Sequence, residues 1–377
     1  MFLMERLIGV SIYSYILIMM CVLIAFSTLR CKNILRLYLV LLAGMAYCYK
    51  PYITADLYRI FQAMEWYATM EFPGFFKTLV LPSSVPASRI LFWLVGKTEL
   101  PHLLPLISTL LCYGCLFYII ENTRVRFRIS RANVAITLFF LMTTSIYISV
   151  IGGIRMMLAL SIIALCFYRE NVEKKHNILH ILLSLVALFL HDMALVMLGV
   201  VLLSILFDRR KTSSSKLLWG LLIGILAIGI AVYFNTKIIS VTEKSLEYLS
   251  DETYYDIWEY LMGAILFCLF GFLFFKAKPY RENYLEINCM NTATAVSGVI
   301  ALLFCHVFSI FYRFIGHMVP ILGIPFVMIS LQEIKDTAPH RFKIISLQSL
   351  VMLVSIVLLM ISATRGSLSA LKFFVID

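Results

Sequence analysis

The sequence predicts an all-α protein, a polytopic integral membrane bundle of about twelve helices. Three observations predict this class: the composition, the spacing of the apolar runs, and the placement of basic residues between them. Hydrophobic side chains make up 62% of the 377 residues and charged side chains only 14%, with a mean hydropathy of +0.93. A soluble domain is about half apolar and about a quarter charged, so this excess indicates helices that face lipid.

Twelve apolar runs follow one another along the chain. A spanning helix needs roughly 20 apolar residues, and the first run is too long for the apolar core of a signal peptide, so it predicts an uncleaved span. Residues 177–207 are too long for one helix, and we predict a tight hairpin that turns at His191 and Asp192. The predicted spans are 7–29, 34–49, 101–120, 132–150, 154–168, 177–191, 193–207, 217–235, 257–275, 288–309, 315–331 and 344–362.

Basic residues are concentrated in alternate segments between these spans. Each such segment carries three or four lysines and arginines; they are 30–36, 121–131, 169–175, 208–216, 276–281 and 332–343. The positive-inside rule predicts that all six are cytoplasmic and that both termini lie outside. The net charge of +11 is then a signal of topology, and no nucleic acid partner is expected.

Two longer segments are predicted to lie outside the cytoplasm. Residues 50–100 mix acidic, basic and aromatic side chains with helix-breaking prolines. Within them the short apolar stretch RILFWLVG, 89–96, is predicted to lie in the membrane interface or to dip into the bilayer. Residues 236–258 are acidic and rich in tyrosine. Because no flexible linker divides the chain, we expect one integral membrane domain over residues 1–377.

Four ionisable side chains fall on the same predicted outer side: Arg59, Arg155, His191 and Arg313. An ionisable group in or beside a span is costly and needs a partner. Structural roles remain open for each: Arg155 as a side chain that snorkels to lipid phosphates, His191 as a cap of the hairpin turn, and Arg313 as an interfacial anchor. Asp56 has a simple alternative as well, an ion pair with Arg59, and the loop aromatics are typical of an interface belt.

Taken together, these residues suit a phosphorylated ligand. Arginine binds phosphate through bidentate, charge-assisted hydrogen bonds, and several arginines at one membrane face suit a pyrophosphate whose lipid tail stays in the bilayer. Gly152 and Gly153 would let the backbone approach such a ligand closely. A histidine or carboxylate beside it would take a proton from an attacking hydroxyl. The chain has no Walker loop, DxD pair or HExxH motif, so neither a nucleotide nor a metal cofactor is expected.

Residues 152–199, which read GGIRMMLALSIIALCFYRENVEKKHNILHILLSLVALFLHDMALVMLG, resemble the core of the EpsG-type, Wzy-like polysaccharide polymerases. In that family an arginine followed by a small residue begins a helix at its outer end, a short basic loop follows, and the next helix ends at a histidine. Arg155 with Ala159, and His191 with Ala194, match this pattern.

Two further segments resemble the same family over a polymerase-like core of residues 50–331. ADLYRIFQ, 55–62, is similar to its acidic segment in the first outer loop, and IFYRFIGHMVPIL, 310–322, to its late arginine-aromatic segment. The sequence departs from the family at HDMA, 191–194, where a serine before the alanine is expected, so a hydroxyl role beside the histidine is in doubt.

The resemblance implies a metal-independent glycosyltransferase in the bacterial cytoplasmic membrane. It would join undecaprenyl-pyrophosphate-linked oligosaccharide repeats outside the cytoplasm into capsule, O-antigen or exopolysaccharide, without a cofactor. Membrane lipid, and a flippase and a chain-length regulator of the same pathway, are the implied partners. The implied roles are pyrophosphate binding for Arg155, Arg313 and Arg59, proton abstraction for His191 with Asp56 as second choice, and sugar stacking for Tyr58, Trp66 and Tyr67.

Three other functions remain open. An O-antigen ligase or another lipid-linked glycan transferase would normally carry a larger outer loop than residues 50–100. A flippase or transporter for the same glycan predicts related halves and polar groups at the membrane midplane, whereas the ionisable residues here cluster at one predicted face. A membrane O-acyltransferase would need its histidine near a cytoplasmic donor, and His191 is predicted outside.

Overall fold

The computed structural model describes residues 2–52, 55–143, 146–207, 257–276, 284–337 and 341–364, together with position 243. It is an all-helical structure, 85% helix, with no strand among the described residues. The predicted span 217–235 and nearly all of the acidic segment 236–258 lie outside these ranges. The apolar runs form helices because only a helix satisfies every backbone hydrogen bond within one segment in lipid.

The helices follow the chain in the order of the predicted runs. They are α1 (Phe2–Phe26), α2 (Cys31–Tyr47), α3 (Asp56–Ala68), α4 (Phe72–Phe75), α5 (Pro86–Gly96), α6 (Leu103–Arg126), α7 (Arg131–Thr143), α8 (Ile146–Gly152), α9 (Ile154–Asn171), α10 (Ile178–Leu190), α11 (Met193–Phe207), α12 (Ile257–Lys276), α13 (Asn288–Leu303), α14 (Phe308–Arg313), α15 (Val319–Leu322), α16 (Ile324–Thr337) and α17 (Arg341–Thr364). The main packed pairs are α2 with α6, α9 with α10, α1 with α7, and α6 with α9.

Several of these helices are long and apolar enough to cross a membrane. Among the described residues there are five, Gly9–Phe26, Leu103–Arg126, Ile257–Lys276, Leu285–Leu303 and Leu347–Thr364, and a sixth if the pair Phe308–Leu322 and Ile324–Gln332 is one bent span. The chain is therefore a multi-pass membrane protein by length and composition of its helices. The full set of twelve spans and the outer position of the termini stay predictions.

The apolar runs are interrupted at two places within the described residues. The run 177–207 breaks at His191 and Asp192, as expected, because α10 ends at Leu190 and α11 begins at Met193. The predicted span 132–150 contains α7 and α8, and its residues 144 and 145 lie outside the described ranges. The predicted span 315–331 bends by 58° near Gly323, where a Cβ would lie 2.7 Å from the Phe270 ring.

Two of the basic segments, 121–131 and 332–343, meet at one end of the bundle with the residues just before 30–36 and with Glu286, and we call this the basic end. There Arg126 forms an ion pair of 2.5 Å with Glu286, and Arg131 donates to the Ser27 carbonyl at 2.6 Å. The Gln332 side chain accepts from the Ser130 backbone N–H at 3.0 Å. These contacts join the segments around residues 27, 130, 286 and 332, so alternate loops lie together, as the positive-inside pattern requires.

The predicted outer segment 50–100 is largely helical. Helix α3 packs against α5, and a turn of π-helix, Phe76–Val80, continues α4. Aromatic rings join the three helices: Tyr67 lies 5.3 Å from Phe75, and Phe75 stacks on Trp93 at 5.7 Å between ring centroids. The segment therefore forms a folded helical layer. It lies at the opposite end of the bundle from the basic segments, because the His102 ring just before α6 contacts Phe61 of α3.

Candidate active site

Two residues singled out in the sequence meet in an ion pair at this second end, which we call the site end. The Arg155 Nη2 atom lies 3.5 Å from the Asp56 Oδ2 atom. The Asp56 side chain is 53% exposed and the Arg155 side chain 32% exposed, so both groups reach the surface of the protein. An exposed ion pair contributes only about 0–1 kcal/mol to stability, and folding alone gives little reason for this pair.

Both partners lie in the first turn of a helix. Asp56 is the first residue of α3, and Arg155 is the second residue of α9. The first N–H groups of a helix have no partner within it and carry partial positive charge. The contact between α3 and α8 brings these two helix beginnings together. The pair therefore sits where two helix dipoles and one guanidinium favour an anion.

The chain reaches Arg155 through a break between two helices. Helix α8 ends at Gly152, and Gly153 caps α9 with φ −90° and ψ 43°. The Gly153 N–H donates to the Ser149 carbonyl at 2.7 Å. A Cβ at Gly152 would meet no atom within 4 Å, whereas a Cβ at Gly153 would lie 3.0 Å from the Ser149 oxygen. Gly152 thus borders open space at the helix break, three residues before Arg155.

His191 lies at the same end of the bundle as Arg155. Helices α9 and α10 pack as an antiparallel hairpin, and at 1.5 Å per residue they are about 27 and about 20 Å long. The His191 Nδ1 atom accepts a hydrogen bond of 3.0 Å from the Met193 backbone N–H. This bond caps the start of α11, and it leaves the proton of the neutral ring on Nε2. The contact favours the capping role over proton abstraction.

Arg313 also belongs to the site end. Glu286, just before α13, forms an ion pair with Arg126 at the basic end. Helix α13 therefore extends from the basic end to the site end, and α14 follows it at the site end. Arg313 is the last residue of α14 and precedes a turn of π-helix, Phe314–Met318. Helix α14 packs against α12 and α13, and no ion pair joins Arg313 to Asp56 among the described residues.

The remaining predicted residues lie on α3. Arg59 is exposed and forms no ion pair with any residue that the structure describes; Asp56 pairs with Arg155 instead. Trp66, 53% exposed, and Tyr67 contact each other at 5.5 Å and join the aromatic layer of α3–α5. Tyr58 is half-buried two residues after Asp56, on a different face of the helix. These four predicted residues therefore share the helix α3 with Asp56, and no contact joins them to the ion pair among the described residues.

His102 is an ionisable residue at this end that the sequence analysis did not single out. Its ring packs against Tyr47 and Phe61, at 5.9 and 5.4 Å between centroids. Burial lowers the pKa of His102 below its usual value, so the ring is neutral at pH 7 and adds no charge to the site. Its position between two prolines, in LPHLLP, is the sequence signal that could have identified it as a packed residue at the start of a helix.

The fold thus defines the class of polytopic, all-helical membrane proteins, here with an exposed ion pair at the site end. The sequence model of the EpsG family matches residues 86–373, which is well over half of the chain. The chain therefore belongs to the EpsG family, which is of the Wzy-like polysaccharide polymerase type, and the resemblance seen in the sequence is confirmed. No curated protein and no solved structure matches the chain.

The family match includes only one of the two residues of the ion pair. Arg155, His191 and Arg313 lie within the matched residues 86–373, whereas Asp56 lies before them. The contact between Asp56 and Arg155 thus links helix α3, which precedes the match, to the residues that the family covers. Membership makes the chain a polysaccharide polymerase-like membrane protein.

Proposed function

We propose that the chain polymerises polyprenyl-pyrophosphate-linked oligosaccharide repeats at the site end of the bundle, on the predicted extracytoplasmic face of a bacterial cytoplasmic membrane. The observation that carries the proposal is the exposed Asp56–Arg155 ion pair in a chain of the EpsG family. It combines a phosphate-binding group and a proton acceptor at one point.

Arg155 is the proposed primary contact for the pyrophosphate. Its guanidinium can bind two phosphate oxygens at once, and the start of α9 adds N–H donors and a favourable dipole. Gly152 leaves space for the ligand beside the helix break. Arg313 and Arg59 are proposed further contacts at the same end. Together these cations would stabilise the charge of the leaving pyrophosphate without a metal ion.

Asp56 is the proposed general base, in preference to His191. Its carboxylate is exposed and held only by Arg155 among the described residues, whereas the His191 Nδ1 lone pair already binds the Met193 N–H. An incoming pyrophosphate would compete with Asp56 for Arg155. Its arrival would release the carboxylate to accept a proton from the attacking sugar hydroxyl.

The reaction is a glycosyl transfer that balances without a co-reactant. The hydroxyl oxygen of one repeat forms a glycosidic bond to the anomeric carbon of another, and the bond from that carbon to the pyrophosphate oxygen breaks. The electron pair leaves with polyprenyl pyrophosphate, and Asp56 takes the hydroxyl proton. Tyr58, Trp66 and Tyr67 are proposed to stack against the sugar rings, because aromatic faces bury the apolar faces of sugars.

A comparison of lipid-linked and surface glycans tests the proposal in cells. Cells with the wild type should show a ladder of polymer lengths, and cells without the protein or with Arg155→Ala a single-repeat band. Arg155→Lys should restore only part of the ladder, because lysine keeps the charge but not the bidentate geometry. A ladder that persists on the lipid carrier and is missing from its final acceptor would indicate a ligase and contradict the proposal.

A further inference from the structure

A cavity opens at the basic end of the bundle, far from the ion pair. It lies between α2 and α6 and has a volume of about 520 Å³. Helix α6 begins at the site end with Leu103. At 1.5 Å per residue, the cavity begins at Gly114, about 17 Å along this helix, and its wall at Glu121 lies about 27 Å along it. The lining residues are Lys32, Leu35, Arg36, Leu39, Gly114, Phe117, Tyr118, Glu121, Asn122 and Val125.

The rim of the cavity carries a net positive charge. Lys32 and Arg36 lie one turn apart on α2, are exposed, and make no ion pair with any residue in the described part of the chain. The one carboxylate in the wall, Glu121, is bound by Arg124 through two hydrogen bonds of 2.7 and 2.8 Å. That acid is therefore neutralised, and the two cations of α2 face the opening without a counter-ion.

The neighbouring acidic group is neutralised as well. Tyr118 of the wall donates to Glu173 at 2.8 Å, and Lys175 lies 2.9 Å from the other carboxylate oxygen of Glu173. The guanidinium of Arg169 lies 5.8 Å from the Tyr118 ring. The surroundings of the cavity thus add no unpaired negative charge.

Toward the middle of the bundle the cavity becomes apolar. Its deeper part is formed by Leu35, Leu39 and Phe117, together with Gly114. A Cβ at Gly114 would meet no atom within 4 Å, so the missing side chain leaves the space open. A cationic rim above an apolar groove, at the end of spanning helices, matches the division between phosphate and acyl chain in a phospholipid.

We propose that this cavity binds one anionic phospholipid of the predicted cytoplasmic leaflet. Its phosphate contacts Lys32 and Arg36, and an acyl chain lies over Leu39 and Gly114. Basic pockets between transmembrane helices at the cytoplasmic side recognise anionic headgroups in this way. The site is remote from the Asp56–Arg155 pair and does not depend on the function proposed for it.

Native mass spectrometry of the purified, delipidated full-length chain tests the site. Phosphatidylglycerol and phosphatidylcholine with the same acyl chains are titrated into the protein. We expect phosphatidylglycerol to bind about 10- to 30-fold more tightly, since each basic side chain near a membrane surface contributes about a five-fold preference for anionic lipid. Equal binding of the two lipids would overturn the proposal.

Two variants separate the charges from the groove. The double change Lys32→Ala and Arg36→Ala should abolish the preference, whereas Arg30→Ala, which removes an exposed charge outside the cavity, should keep it. A Cβ at Gly114 meets no atom within 4 Å, and Gly114→Leu extends a longer side chain from that point into the groove, so it should weaken binding of both lipids; a thermal unfolding curve of the variant checks that the protein stays folded. A preference that survives in the double variant, or lipid binding unchanged by Gly114→Leu, would contradict the site.

Two competitors identify the source of the phosphate. Inorganic phosphate at millimolar concentration should leave phosphatidylglycerol bound, because it has no acyl chain for the groove. Polyprenyl phosphate should displace the phospholipid no better than an equal amount of phosphatidylglycerol does. Displacement by either competitor at a lower concentration would assign the cavity to that ligand and overturn the proposal.

Discussion

At the scale of single residues, the site rests on a contact between two side chains that are distant in the sequence. Asp56 and Arg155 each stand out in the sequence as ionisable groups beside apolar runs. Their pairing could not be predicted, because Arg59 lies within reach on the same helix face and offers the simpler partner. Tertiary packing of α3 on α8 decides the choice.

The first prediction concerns the proposed base. Asp56→Asn should lower the polymerisation rate by about 100-fold or more, which is the usual contribution of a general base. The free energy of unfolding should change by less than about 1 kcal/mol, because the ion pair is exposed. Rates from purified protein and thermal unfolding curves measure the two effects. Glu65→Gln, an exposed change on the same helix, is the matched control; a fully active Asp56→Asn protein would remove the base role from Asp56.

The second prediction separates capping from catalysis at His191. Asparagine is a good helix cap, and this chain already uses Asn177 to cap α10. His191→Asn should therefore retain stability and most of the activity, and His191→Ala should lower the stability by about 1 kcal/mol. Thermal unfolding and polymer formation are measured for both variants. An inactive but fully stable His191→Asn protein would return the base role to His191.

At the scale of elements, the lengths of the helices follow from the apolar runs, but their breaks do not. Hydropathy alone shows one run over 315–331, yet the structure bends it by 58°. Pro320 and Pro325 each remove a backbone donor, and Gly323 admits the Phe270 ring. The glycine pair at 152–153 is visible in the sequence, but the packing of this break against α3 cannot be predicted from it.

The third prediction uses the two glycines of this break. Gly152→Ala places a methyl group in open space, so the stability should be unchanged or slightly higher. If the pyrophosphate approaches the backbone there, the same change should reduce donor binding several-fold. Gly153→Ala should instead lower the stability, because its Cβ would lie 3.0 Å from the Ser149 oxygen. Donor affinity and unfolding midpoints of both variants check this, and unaltered affinity in Gly152→Ala would place the ligand elsewhere.

At the scale of the whole molecule, the alternation of basic segments predicted the grouping that the structure has at the basic end. Composition and spacing were sufficient for this, because the positive-inside rule acts on each loop separately. The arrangement of the site end could not be predicted from the sequence, since it depends on which of several helices at that end pack against each other. The family match adds the class of reaction and leaves the residues to be tested.

The fourth prediction concerns sidedness. In a variant without the nine native cysteines, a cysteine at Glu65 should react with a membrane-impermeant thiol reagent in intact cells. A cysteine at Lys174 should react only after the membrane is permeabilised, because that residue lies at the basic end. Labelling of Lys174→Cys in intact cells, with Glu65→Cys protected, would invert the topology and exclude polymerisation outside the cytoplasm at this site.

The most direct test of the central claim is polymerisation by purified protein in vesicles supplied with lipid-linked repeats alone. The wild type should produce a ladder of products and release one polyprenyl pyrophosphate for each bond formed, without added metal or nucleotide. Asp56→Asn and Arg155→Ala should each abolish the ladder, and the double variant should be no worse than the single ones, because both residues serve one step. Polymer formed equally well by both single variants would contradict the account, and so would an inactive but folded wild type.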